Sequence, residues 1–172
     1  MDDRVTPAVA VIVLLVVLLG LMVLGWRARQ RRQATLPQPA SVPADPGAEL
    51  LSLEVFYVAT TVSDSPLDRI AVRGLGFRAR ARVTVTDAGV VLAIPGENAA
   101  FLPAADISAV GRSTWTIDRV VERGGLVRVS WTLGDTAVDS FLRVADPDDP
   151  TELIDTIKTI MSAPEGARNE EK

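Results

Sequence analysis

The sequence contains one stretch, residues 8–26, in which no residue carries a charge. Folded as a helix, these about 19 residues would be roughly 28 Å long, close to the roughly 30 Å thickness of a bilayer's hydrocarbon core. Pro7 stands where the first turn of a helix tolerates proline, and Trp26 stands at the opposite end, where interfacial aromatic residues are common. The stretch is therefore predicted to be a transmembrane helix.

The charges on the two sides of this stretch differ and predict its orientation. The residues before it are mainly acidic, whereas a basic segment follows it directly. The juxtamembrane basic residues are Arg27, Arg29, Arg31 and Arg32. Because basic flanks stay in the cytoplasm, we expect residues 1–7 outside the inner (plasma) membrane and the rest of the chain in the cytoplasm. The alternative, a cleaved secretory signal, would need a basic leader and a small-residue cleavage site.

The absence of certain residue types excludes several chemistries. The 172 residues include no cysteine and no histidine, and these are the main ligands of structural zinc and the usual nucleophiles and general bases. The formal net charge of −4 argues against a nucleic-acid partner, which would require a basic excess. We therefore expect no enzyme activity, no cofactor, no metal site and no nucleic acid.

The rest of the chain divides into a linker, a domain and a tail. Residues 27–49 hold the basic segment and then a proline-rich linker, which should run extended as a spacer. Residues 50–163 show the alternation and turn signals of several strands followed by one helix, and residues 164–172 form a polar tail that we expect to be disordered. The predicted fold class is mainly β with one C-terminal α-helix: a small barrel or orthogonal sandwich capped by that helix.

Some local features of this domain are predicted in detail. Val127–Leu133 and Thr136–Val144 should form a hairpin, with Trp131 in the core. Gly89 should take a left-handed position in an earlier hairpin turn. The helix should begin at Asp149 and bury one stripe, which consists of Leu153, Ile154, Ile157, Ile160 and Met161.

Two segments of the domain carry a family resemblance. They are VTVTDAGVVL, from Val83, and FLPAADISAV, from Phe101, and with the closing helix they resemble the pleckstrin-homology-like (PH-like) group. With the apolar span, the linker, RGLGFR from Arg73 and STWTIDR from Ser113, the chain looks like an actinobacterial family of single-pass membrane proteins with a bacterial PH-like domain. That family has no established activity and is often encoded beside pyrimidine-biosynthesis genes. The resemblance implies the fold and is uninformative about catalysis.

Arginines crowd around Gly74 and Gly76 and form the main candidate binding site. Five arginines fall within fourteen residues and could present several guanidinium groups to one phosphate-bearing or acidic partner: Arg69, Arg73, Arg78, Arg80 and Arg82. The candidate ligand-binding residues are Arg73, Arg78, Arg80, Arg82 and Trp115. The alternative is a solvated strand face whose charges discourage edge pairing.

Two other motifs have simpler explanations. GLGFRA, from Gly74, formally fits a dinucleotide fingerprint, but an alternating strand follows it where that fingerprint needs a helix. Asp146, Asp148 and Asp149 suggest a calcium loop, yet Pro150 stands where the loop needs its next ligand, so helix capping explains the acids better.

These observations predict a membrane-anchored cytoplasmic binding or scaffolding module that localises a protein partner at the inner membrane. Its partners would be the lipid bilayer and a protein of unknown identity. One alternative is a sensor of anionic lipid headgroups that uses the arginine-rich strand. A second is a regulatory subunit that tethers a cytoplasmic metabolic enzyme.

Overall fold

The computed structural model describes residues 5–33, 36–70, 74–113, 115–116, 119–120, 125–144 and 149–162. Contacts within the chain separate it into an N-terminal helical unit and a β-rich unit that starts at Leu36.

The N-terminal unit is a single helix, α1, which spans Val5–Gln33. Its segment Pro7–Ala28 is long and apolar enough to cross a membrane, by length and composition, and its side chains are exposed. A signal sequence near an N-terminus would have the same properties. The helix is longer than the apolar stretch at 8–26, because it continues through the basic segment.

The β-rich unit consists of short antiparallel strands, a 3₁₀ turn at Ala104–Asp106 and a final helix, α2, at Asp149–Ser162. The strands within the described residues are β1 Ala40–Ser41, β2 Glu49–Val62, β3 Ser65–Arg69, β4 Ala79–Thr86, β5 Gly89–Ala93, β6 Ala100–Pro103, β7 Ile107–Ser113, β8 Trp115–Thr116, β9 Arg119–Val120, β10 Leu126–Leu133 and β11 Thr136–Val144.

The main sheet has the strand order β1-β6-β5-β4-β2-β11-β10-β7. The strand β3 pairs with β2, while β8 and β9 form a small separate hairpin. The 14-residue strand β2 joins the two halves of the sheet: Glu49–Tyr57 pairs with β4, and Val55–Val62 pairs with β11. A register shift between Phe141 and Leu142 bends the second pairing. The mainly β architecture with one C-terminal helix is confirmed.

The helix α2 closes the core, as predicted. Its side chains Leu153 and Ile157 are completely buried, Ile154 and Ile160 nearly so, and Met161 packs against the same cluster. The helix lies mainly against β7. Trp131 on β10 is also in the core, since only 3% of its surface is exposed. Burial of this apolar stripe is the main reason that a short helix is stable here.

The proline-rich linker is not wholly the free spacer that its composition predicts, because its first residues, between Leu36 and Ser41, contact the sheet. Leu36 contacts the core cluster, and a Cβ on Gly134 would lie 2.6 Å from the Pro37 ring. Ala40 and Ser41 form β1, which pairs with β6 at the sheet edge. An extended, proline-containing segment can cover an exposed strand edge. A linker whose composition prevents it from folding alone can therefore still pair with the edge of an existing sheet.

Gly89 has a different role from the predicted one. Its φ angle is not positive. It is the first residue of β5, after a turn at Asp87 and Ala88. A Cβ at this position would clash with the backbone oxygen of Leu102. Glycine is therefore needed because β6 approaches closely, and not for a left-handed turn.

Candidate functional site

The outer face of β4 carries two of the predicted site arginines. Arg80 and Arg82 are exposed, whereas Ala81 and Val83 between and beside them are buried in the core. This alternation follows from the two-residue period of a strand with one face on the core. The predicted basic face therefore exists.

Cross-strand pairing places a phenylalanine and a further arginine beside Arg80. In the registers of β2 with its two neighbours, Phe56 lies opposite Arg80 on one side and opposite Arg143 of β11 on the other. Directly paired residues project from the same face of a sheet. The three side chains form a line across three strands, which we call the Arg80–Phe56–Arg143 row.

The row lies in a shallow depression of about 630 Å³, which is also lined by Glu54, Val55 and Val144. The Phe56 side chain is 41% exposed, so it is accessible but partly recessed. Among the residues that the structure describes, neither Arg80 nor Arg143 has an acidic partner within ion-pair distance. The row therefore offers two cations and an aromatic ring to a partner.

Arg82 is next to the row but already has a partner. Its Nη2 donates to Glu54 Oε1 at 2.7 Å, and this hydrogen bond, together with the charge of Glu54, raises the pKa of Arg82. Both side chains are more than half exposed, so the pair contributes little to stability. It nevertheless neutralises one of the predicted cations.

Arg69 and Arg78 lie outside the row. Arg69 is half-buried and its Nη2 donates to the backbone oxygen of Val58 at 3.1 Å, while desolvation lowers its pKa. This arginine therefore holds the chain after β3 against β2. Arg78 is exposed just before β4, and its positive charge also lowers the pKa of Arg69.

Several predicted site residues lie outside the described residues. Arg73 belongs to the segment 71–73, and the side chain of Trp115 on β8 is likewise not described. In α1, the Arg27 side chain is exposed, and those of the other three juxtamembrane arginines, Arg29, Arg31 and Arg32, are not described. Asp146 and Asp148 also fall outside.

A buried chain of hydroxyl groups lies beneath the row. The Tyr57 hydroxyl donates to the backbone oxygen of Leu75 at 3.0 Å and lies 2.8 Å from the Thr60 hydroxyl. The Thr60 and Ser140 hydroxyls are 2.8 Å apart, and the Trp131 indole nitrogen donates to Ser140 at 2.9 Å. Because each buried polar group has a partner, this network stabilises the core and fixes the loop around Leu75 that leads into β4.

The pKa of Tyr57 gives a direct test of this network. Burial raises that pKa to about 12, although the hydrogen bond with Thr60 and the charge of Arg69 partly oppose the rise. In the unfolded chain the pKa of a tyrosine is about 10. Because the pKa of Tyr57 is higher in the folded state, its protonated hydroxyl stabilises the fold fully below pH 10, and this stabilisation is lost progressively as the pH rises toward 12. We expect a loss of about 2–3 kcal/mol of unfolding free energy over that interval.

This titration can be measured without interference, because Tyr57 is the only tyrosine in the sequence. In the folded chain, tyrosinate absorbance should remain low at pH 11, where an ordinary tyrosine is mostly ionised. In denaturant the midpoint should return to about 10. The Tyr57→Phe variant is the control and should lose both the absorbance change and the alkaline loss of stability. A folded-state midpoint near 10 would contradict the buried network.

Two further sequence motifs can be compared with the described residues. No group of three or more acidic residues within them could hold a metal ion. The strand β4 begins at Ala79, directly after the glycine-containing segment that fits a dinucleotide fingerprint, so no helix follows to receive a pyrophosphate. The two guanidinium groups and the aromatic ring of the row are chemically complementary to an anionic, partly apolar surface.

Phe56 and Arg143 are site residues that sequence reasoning missed. Phe56 belongs to LEVFYVATTV, a run whose apolar residues do not alternate, and the sequence of β11, TAVDSFLRV, does not alternate strictly either. Register between strands that are distant in sequence brings these two residues together. A single sequence shows alternation within a strand but gives no direct signal for pairing between strands.

Among solved structures, 54 chains match. One is a chain of the 8S snRNP assembly intermediate, with a TM-score of 0.49 and 10% identity, covering 78% of this chain and 97% of that one. Another is the C-terminal phosphotyrosine interaction domain of mouse APBB2, with a TM-score of 0.48 and 12% identity, covering 75% and 98%. The sequence matches none of the curated proteins.

A family model described as "Bacterial PH domain-like" matches residues 33–158. The matched range begins at the end of α1, includes the docked linker and every described strand, and ends within α2. Since this range covers more than half of the sequence, and the strands and closing helix occur in the order that the PH-like resemblance implied, the chain belongs to the bacterial PH domain-like family.

Proposed function

We propose that this protein is a membrane-anchored binding or scaffolding module that holds a protein partner at the cytoplasmic face of the inner membrane. In this proposal, residues 8–26 of α1 cross the bilayer, residues 1–7 lie outside, and residues 50–163 act in the cytoplasm. The basic segment after the apolar stretch supports this orientation. PH-like domains serve as binding or scaffolding modules, which supports the functional class.

The observation that carries the proposal is the Arg80–Phe56–Arg143 row. Arginine and aromatic side chains are enriched where protein interfaces have their energetically important contacts. The row presents two cations without acidic partners in the described residues, on a chain whose net charge is −4. Anchoring confines such a surface to a thin layer near the bilayer, so even a weak contact becomes effective through its high local concentration.

A second candidate function is recognition of anionic lipid headgroups. The exposed positions Arg78, Arg80 and Arg82 on and before β4 support it, because guanidinium groups bind phosphate well. The ion pair of Arg82 with Glu54 weakens this support, since it removes one cation from the strand face. A tethered metabolic enzyme would be one form of the protein partner in the first proposal.

Photo-crosslinking in living cells tests the two candidates. A photoreactive phenylalanine analogue at position 56 should form protein adducts, and the double variant Arg80→Glu, Arg143→Glu should reduce their yield about tenfold or more. Lys158→Glu, on the exposed side of α2, reverses one charge outside the row and should leave the yield unchanged. Adducts with lipid would support the second candidate instead. Protein adducts whose yield is unchanged in the double variant Arg80→Glu, Arg143→Glu would refute the first.

A further inference from the structure

We propose that the Arg80–Phe56–Arg143 row binds an acidic amphipathic helix of a protein partner, which lies across strands β4, β2 and β11. This inference rests on the proposed function and specifies the chemistry and shape of the partner. The helix would carry two acidic residues seven positions apart and an apolar residue between them on the same face.

The spacing of the row supports a helix of this kind. Neighbouring strands lie about 4.8 Å apart, so the backbones at Arg80 and Arg143, which flank Phe56 on either side, are about 10 Å apart. Seven residues of an α-helix rise about 10.5 Å and return to nearly the same face after two turns. Two such carboxylates can therefore meet both guanidinium groups while the helix runs across the strands.

The centre of the row defines the apolar contact. Phe56 is 41% exposed and lies in a depression that Val55 and Val144 also line. A leucine-sized side chain three or four positions after the first acid projects from the same helix face and would cover the ring. Burial of both apolar groups would then strengthen the flanking charge-assisted contacts, because water would be excluded from them.

The pairing of β2 on both sides favours a helix over an extended peptide as the partner. At Phe56, β2 is hydrogen-bonded on both sides, to β4 and to β11, so no strand edge is available at the row for an added strand. A peptide crossing the face in extended form would leave its own backbone groups unpaired against an apolar surface. A helix satisfies these groups internally and needs only side-chain contacts.

The Glu54 carboxylate beside the row favours a protein helix over a bilayer as the partner. Phe56 is 41% exposed, and Glu54 lines the same depression. An anionic membrane surface would present negative charge to the Glu54 carboxylate as well as to the two arginines. A projecting helix can enter the depression and place its acids beside Arg80 and Arg143, away from Glu54.

Binding of designed helical peptides to the full chain tests this inference. The full chain is placed in nanodiscs of neutral phosphatidylcholine, and binding of a labelled peptide is followed by fluorescence anisotropy. The probe is an alanine-rich helix with two glutamates seven residues apart and leucines between them on the same face. In the matched control peptide, one glutamate is moved two positions, so that it points away from that face. We expect the probe to bind about tenfold more tightly than the control.

Charge reversal makes the test specific to the row. In the chain with Arg80→Glu and Arg143→Glu, binding of the glutamate probe should fall about tenfold or more, and a peptide with lysines in place of the glutamates should bind that variant instead. Lys158→Glu should leave the affinity for the glutamate probe unchanged. Equal affinity for the probe and control peptides, or no binding of the probe up to about 1 mM, would overturn the inference.

The bilayer alternative is tested with a fluorescent label on the full chain in a second set of nanodiscs, which contain brominated anionic lipids. Because the sequence has no cysteine, Thr84→Cys on β4 can be labelled uniquely with a fluorophore. The helix inference would also be overturned if brominated anionic lipids quench this label in the chain with Arg80 and Arg143 but not in the double variant Arg80→Glu, Arg143→Glu. If the peptides fail while arginine-dependent protein adducts form at position 56 in cells, only the helix inference is lost. If neither occurs, the proposed protein-binding function fails as well.

Discussion

Trp131→Ala is expected to lower the unfolding free energy of the β-rich unit by about 3–5 kcal/mol. The side chain is 3% exposed and fills the core that β10, β11 and α2 enclose. Its removal leaves a large cavity and also deletes the donor to the Ser140 hydroxyl. Since whole domains are stable by only about 5–15 kcal/mol, the variant should unfold at a far lower urea concentration.

Pulse proteolysis of the full chain in urea measures this loss, and two variants provide controls. Trp131→Phe keeps most of the apolar volume but lacks the indole N–H, so we expect a smaller loss of about 1–2 kcal/mol. Thr132→Ala changes an exposed neighbour on the same strand and should alter the stability by less than about 0.5 kcal/mol. A loss below about 1 kcal/mol for Trp131→Ala would show that Trp131 does not fill the core.

Arginines in the middle of α1 should prevent the helix from residing in the membrane. The double variant Val16→Arg, Leu19→Arg places two charges within the apolar stretch, each costing about 3 kcal/mol on insertion scales. We expect the chain to leave the alkali-resistant membrane fraction of the cell. The conservative double variant Val16→Leu, Leu19→Val should remain there. Retention of the arginine variant in that fraction would contradict the proposed transmembrane role of residues 8–26.

Features encoded in short, contiguous segments were predictable from sequence. The hairpin predicted at Val127–Leu133 and Thr136–Val144 corresponds to β10 and β11, with a difference of one residue at the start of β10. Helix α2 begins at the predicted Asp149 and buries the predicted stripe. In both places the hydrophobic period, the turn residues and the helix start point to the same structure within a few residues.

Features that depend on distant segments were not predictable in the same way. The docking of β1 on β6 depends on a sheet edge about sixty residues later in the chain, so proline content alone suggested a free spacer. The Arg80–Phe56–Arg143 row depends on two registers of β2, one of which contains an irregularity near Phe141. Likewise, Arg69 resembled a binding residue in the sequence because nothing local indicated its hydrogen bond to the backbone of Val58.

The orientation of the chain in the membrane is the point on which the proposed function depends most. Since the sequence lacks cysteine, a single one can be introduced at Asp3 or at the exposed Thr132, and intact cells can be treated with a membrane-impermeant maleimide. The account predicts that Asp3→Cys is labelled in intact cells and that Thr132→Cys is labelled only after lysis. Labelling of Thr132→Cys in intact cells, or a mature chain that lacks residues 8–26, would contradict it.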